Sequence, residues 1–147
     1  MARIAGLYSR RGYNINSIAV GETEDPKVSR ITLVVEAEAA HELEQITKQL
    51  YKLVDVIKIS DITLDDSVER ELALIKVKSS SANRSEILQI VDIFRAKIVD
   101  VSRSAVIIEV TGTQDKVEAI IALLKPFGLV EIARTGKVAL VRSAVRA

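Results

Sequence analysis

The chain has 147 residues, 48% of them hydrophobic, with 21 basic against 20 acidic residues, one histidine and no cysteine. That length allows one domain or two small ones, and an apolar mass made of Ile, Val, Leu and Ala suits sheets covered by helices. Near-neutral charge argues against a duplex-binding protein, the lack of Cys excludes disulfides and cysteine chemistry, and no apolar run reaches the roughly 18 residues of a membrane span.

Ile4, Leu7 and Tyr8 are spaced to line one side of an opening helix. Arg10 and Arg11 fall in its last turn, facing the negative end of the helix dipole, and Gly12 is a left-handed stop. Tyr13 to Val20 reads as a strand, Gly21 to Lys27 as a polar turn punctuated by Gly21 and Pro26, and Ile31 to Val35 as a second strand. Together they predict a hairpin with a charged tip. Leu43, Ile46 and Leu50 mark one face of a helix over Ala39 to Leu53. Val54 to Ile62 is strand-like again, and Asp65-Asp66-Ser67 closes a first unit.

The second unit opens with a strand, Val68 to Val77. Asn83 and Glu86 are spaced as an N-cap and its third-residue partner, with Asn83 taking a free N–H of the first turn. The helix they start carries Ile87, Ile90, Val91 and Phe94. Lys97 to Val101 and Ala105 to Val110 form a hairpin around Ser102-Arg103-Ser104. A last helix carries Val117, Ile120, Ile121 and Leu124 and ends at Pro126 and Gly128. Leu129 to Val141 is extended, broken at Thr135-Gly136.

Strand, helix, strand, strand, helix, strand is the ferredoxin-like βαββαβ order. The first unit repeats it without its opening strand. The expected fold is therefore α+β: two ferredoxin-like domains in tandem, over 1–66 and 67–147, the first lacking its first strand. Without that central strand the sheet would carry unpaired edges. Either another chain supplies that strand or the natural protein starts further upstream; the second is the expectation, and in-frame translation of the preceding DNA checks it.

Catalytic motifs are lacking. The single His41 cannot form a two-histidine zinc site, and the six glycines are too dispersed for a phosphate loop. The carboxylate pairs Asp65–Asp66 and Glu69–Glu71 read as linker or solvent-facing charges. Asn14 and Asn16 sit at a helix–strand junction, where an amide can offer a small ligand both donor and acceptor. An Asn after a helix-ending Gly also serves as a simple turn residue, and spacing leaves both readings open.

The run Gly6-Leu-Tyr-Ser-Arg-Arg-Gly-Tyr-Asn-Ile-Asn-Ser-Ile-Ala-Val-Gly-Glu22 with Ser29-Arg-Ile-Thr closely resembles the regulatory (small) subunit of acetohydroxyacid synthase, also called acetolactate synthase. Gln49-Leu-Tyr-Lys-Leu-Val-Asp-Val, Val68-Glu-Arg-Glu-Leu-Ala-Leu-Ile-Lys-Val, Ile93-Phe-Arg-Ala-Lys-Ile-Val-Asp-Val and Glu131-Ile-Ala-Arg-Thr-Gly-Lys-Val-Ala-Leu continue the match in order. The resemblance implies a non-catalytic subunit whose N-terminal ACT domain pairs with a second copy and binds valine, or another branched-chain amino acid, at the seam. It implies docking on a catalytic (large) subunit that itself carries thiamine diphosphate, magnesium and FAD, with no cofactor in this chain. Asn14 carries over as an effector contact, with Ile15 and Val20 as weaker candidates beside it. Neither nucleic acid nor membrane is expected as a partner, and a cytoplasmic location is. A free-standing ACT-type sensor of another enzyme is the alternative.

Overall fold

A computed structural model of the chain describes residues 14–36, 40–53 and 55–143. The chain divides into two compact units. One ends at Val68 and takes back the residues from Ala139 onward; the other runs from Glu69 to Val138.

In the first unit, β1 (Asn14–Glu22) and β2 (Ser29–Glu36) form an antiparallel hairpin. Gly21 belongs to β1, opposite Arg30, so the turn begins later than the glycine suggests. The Thr23 amide donates to Val28 O at 3.0 Å, and Thr23 Oγ1 donates to the carbonyls of Asp25 and Val28. Helix α1 (Ala40–Tyr51) follows, as the spacing predicts. It buries Ile46 and Leu50 against Ile15, Ile31, Leu33, Val35, Leu53 and Ile59. The expected opening helix and its Gly12 stop lie outside the described residues.

The strand expected over Val54 to Ile62 is not formed: residues 56–62 make no ladder. The reason is topological. In the ferredoxin-like order the neighbour of that strand is the first strand, and no strand precedes β1 among the described residues. The Tyr51 hydroxyl stands in for a neighbour, donating to Ile59 O at 3.2 Å and accepting from Ile59 N at 3.1 Å.

The C-terminal sheet is built as expected from β3 (Ser67–Lys78), β4 (Lys97–Val101), β5 (Ala105–Gly112) and β6 (Leu129–Arg134), with helices α2 (Arg84–Ile93) and α3 (Gln114–Leu124). The order is β4-β5-β3-β6, antiparallel throughout, and β7 (Val138–Val141) also pairs with β3. This is the ferredoxin-like arrangement. Odd residues of β3 (Ala73, Ile75 and Val77) meet even residues of β5 (Val106, Ile108 and Val110) and the inner faces of both helices. Burying such side chains stabilises by about 1.5–3 kcal/mol each, so this face holds the unit together.

Two helix starts differ. Thr113 is extended, and its Oγ1 accepts from Lys116 N at 3.3 Å, an ordinary N-cap. Asn83 does not cap α2 as expected. Its backbone is already helical at φ −113° and ψ −2°, so its side chain cannot swing onto the first-turn amides. Asn83 Oδ1 instead accepts from Ser80 N at 2.8 Å and closes the preceding turn. After α3, a short 3-10 turn (Lys125–Phe127) ends at Gly128, whose φ of 104° favours glycine.

Candidate functional site

Strand β1 carries the three residues singled out in the sequence. Its pairing with β2 is not regular. Ile15 lies opposite Val35 and Ser17 opposite Val34, so Asn16 is an extra residue, a β-bulge. The bulge resolves a conflict of parity. Ile15 is odd, while Ile18 and Val20 are even, and in a regular strand they would face opposite sides. With one residue inserted, Ile15, Ile18 and Val20 lie opposite Val35, Leu33 and Ile31. Those three β2 residues pack against Ile46 and Leu50 of α1. The bulge thus puts Ile15, Ile18 and Val20 on one face of the hairpin.

Ile15 and Val20 therefore share the face covered by α1. Ile15 joins the core, whereas Val20, toward the hairpin tip, stays 51% exposed. Asn14 heads the strand opposite Glu36, at a register position on the other face. Ser17 shares that face. Its hydroxyl is buried and has no hydrogen-bond partner among the described residues. No sequence pattern marks Ser17, because nothing in a sequence shows that a hydroxyl lacks a partner.

A second polar cluster lies in the C-terminal unit. Glu71 was expected on a solvent face and is instead 5% exposed. The signal was present in the odd-numbered series Glu71, Ala73, Ile75 and Val77, which puts Glu71 on the core side of β3. Arg134 donates to Glu71 Oε1 from Nε at 3.1 Å and also from Nη2, and its Nη1 donates to Glu118 Oε1 at 2.8 Å. Burial works to lower the Arg134 guanidinium, but its hydrogen bonds to Glu118 and Glu71, with their charges, outweigh that and hold it above its ordinary value. Gly112 lies opposite Glu71, and a Cβ there would meet Lys116 Cδ at 2.5 Å. The cluster joins β3, α3 and β6 and presents no nucleophile–base pair.

Among the described residues, no group of three or more His, Asp or Glu side chains could hold a metal ion, and no helix is long and apolar enough to cross a membrane.

Both halves of the chain match known families. Residues 1–58 match the AHAS small subunit-like ACT domain, and residues 70–143 match the small subunit of acetolactate synthase. The chain belongs to the acetolactate synthase small-subunit family. The small subunit of Bacillus subtilis is 55% identical over 140 residues, covering 95% of this chain and 81% of that one. The probable small subunit of Archaeoglobus fulgidus is also 55% identical, over 142 residues, covering 97% and 88%. The crystal structure of the small subunit from Thermotoga maritima superposes with a TM-score of 0.89 at 50% identity, over 99% of this chain and 90% of that one. Membership makes the chain a regulatory small subunit and bears out the resemblance read in its ordered sequence blocks. Within this small-subunit family, β1 and its bulge fall in the segment matched by the ACT domain.

Proposed function

We propose that this chain is the non-catalytic partner of the acetolactate synthase large subunit, that its docking raises the activity of that subunit, and that valine or another branched-chain amino acid reverses the effect. The observation that carries the reading is the match of both halves, in order, to the small-subunit family. Residues 1–66 act as the effector-binding ACT domain and residues 67–147 as the C-terminal ferredoxin-like domain. Two ACT domains pair side by side, and the ligand sits at their seam with Asn14 as its polar contact and Ile15 and Val20 near its side chain. Thiamine diphosphate, magnesium and FAD belong to the large subunit. The complex works in the cytoplasm.

The physics of such a sensor is modest. A ligand shifts a regulatory equilibrium only by its differential affinity for the two states, typically about 1–3 kcal/mol. An aliphatic pocket separates side chains one methylene apart by a similar amount, about 1–3 kcal/mol. Leucine and isoleucine should therefore act as weaker effectors rather than inert ones.

Reconstitution tests the reading. Acetolactate formation by the large subunit should rise when this chain is added and fall again with valine. Asn14→Asp should weaken the valine response, because a second carboxylate would face the carboxylate of the ligand. No activation on mixing would refute docking, and an unaltered valine response in Asn14→Asp would remove Asn14 from the site.

A further inference from the structure

β1 carries one polar atom that the fold does not use. Ser17 Oγ is buried without a hydrogen-bond partner among the described residues. Buried hydroxyls are almost always bonded, and leaving one unmade costs stability. Alanine at this position would avoid the cost and keep the ladder with Val34. A group that a strand holds at a cost is a candidate for work outside the fold.

Its position supplies the second observation. Asn14 pairs with Glu36 and Ser17 with Val34. Glu36 and Val34 are two apart on β2, so Asn14 and Ser17 hold neighbouring ladder positions on one face. In sequence they are three apart, and a regular strand would place them on opposite faces. The bulged Asn16 brings them to the same side. The face they share is not the one packed on α1, because Ile15 and Ile18 pair with Val35 and Leu33.

We propose that Ser17 is a second polar contact of the amino-acid site headed by Asn14, and that the Asn16 bulge is the device that aligns the two. The inference rests on the reading of Asn14 as an effector contact. The ligand class is an aliphatic amino acid in its zwitterionic form. A serine hydroxyl offers one donor and two acceptor lone pairs, so it suits either the carboxylate or the ammonium group. Solvent does not reach this oxygen, so a ligand gains it only by opening the bulged end of β1, where the ladder is already interrupted. The hydroxyl then makes in the bound state a bond that it lacks in the free one. That is a differential interaction, the kind that shifts an equilibrium rather than merely adding affinity.

The test uses the small subunit reconstituted with its large subunit and titrated with L-valine. Ser17→Ala should need about tenfold more valine for half-inhibition, the effect of losing one hydrogen bond to a charged group. Its melting temperature should not fall, since the unliganded protein loses no bond. Ser17→Thr keeps the hydroxyl and should restore the wild-type midpoint to within about threefold. A wild-type midpoint in Ser17→Ala, while the unmutated complex responds to valine, would overturn this inference alone. An unmutated complex indifferent to valine, leucine and isoleucine would overturn the effector reading beneath it. Should Ser17→Ala fail to fold, Ser17→Cys decides in its place, because a thiol of similar size is only a weak donor; an unmoved midpoint there overturns the proposal.

Discussion

Arg134 neutralises Glu71 across the second unit, and the two differ in what their removal should do. The Glu71 side chain is 4% exposed and that of Arg134 32%. Taking away the arginine leaves a carboxylate buried and unpaired. Losing one partner of a fully buried pair costs about 3–5 kcal/mol, and the partial exposure of Arg134 lowers the expected cost to about 2–4 kcal/mol for Arg134→Ala. Adding Glu71→Leu to that variant should recover most of the loss, because an apolar side chain on the core face needs no partner. Urea unfolding measures both, read as a change of midpoint at constant slope. A double variant no more stable than Arg134→Ala would mean that packing, not the stranded charge, carried the cost. Glu71 also marks where single residues were legible. Its odd-numbered phase with Ala73, Ile75 and Val77 gives its face directly from the sequence. The orphaned hydroxyl of Ser17 does not follow from phase, because burial without a partner depends on everything packed around it. Asn14 sits between these cases: spacing leaves it as either a turn residue or a ligand contact, and the proposed ligand role rests on the resemblance of the family blocks and on the Asn14→Asp titration that tests it.

Elements were read well where each had its neighbour in the chain. The C-terminal unit matches expectation strand by strand, because β3 supplies the central ladder and the apolar phases of β5, α2 and α3 all point to it. The hairpin of β1 and β2 was legible from its Ile and Val content and its polar turn. Its bulge was not read, although the switch from odd Ile15 to even Ile18 and Val20 carried it; parity becomes a bulge only once the facing strand is fixed. Residues 56–62 went the other way. Their composition suits a strand, but a strand needs a ladder partner, and Tyr51 offers only one hydroxyl. That hydroxyl should be what keeps the segment against the end of α1. Tyr51→Phe should cost about 0.5–1 kcal/mol, at the low end for a hydrogen bond because Tyr51 is half exposed. The local effect should be larger than the global one. Amide exchange at Ile59 should speed up several-fold while exchange in β3 stays as it was. Unchanged exchange at Ile59 would show that Leu53 and Ile59, packed with Ile46 and Leu50, hold the segment by contact alone.

Among the described residues the two units differ in the core they show. In the C-terminal unit both helices close over one face of a four-strand path, and Ile75, Ile87, Ile108, Ile120 and Leu124 are all fully buried. In the first unit, the described core is Ile46 and Leu50 with half-buried neighbours under a two-stranded sheet. A hairpin strand opens more readily than a strand at the centre of a larger sheet. Amides of β1 and β2 should therefore exchange faster than those of Ile75 and Val77 in β3. A module that answers a small molecule is expected to use its less stable part, since only a structure with accessible open states can be shifted by about 1–3 kcal/mol. Valine then offers a test at the scale of the whole chain. A ligand present at about one hundred times its dissociation constant stabilises the form that binds it by about 2.7 kcal/mol. Openings of β1 and β2 that release the ligand should slow by about one hundredfold on that basis. Exchange in β3 and β5 should change much less if the site lies on β1. Slowing confined to β3 and β5 would move the effector out of the first unit, and with it the roles assigned to Asn14 and Ser17.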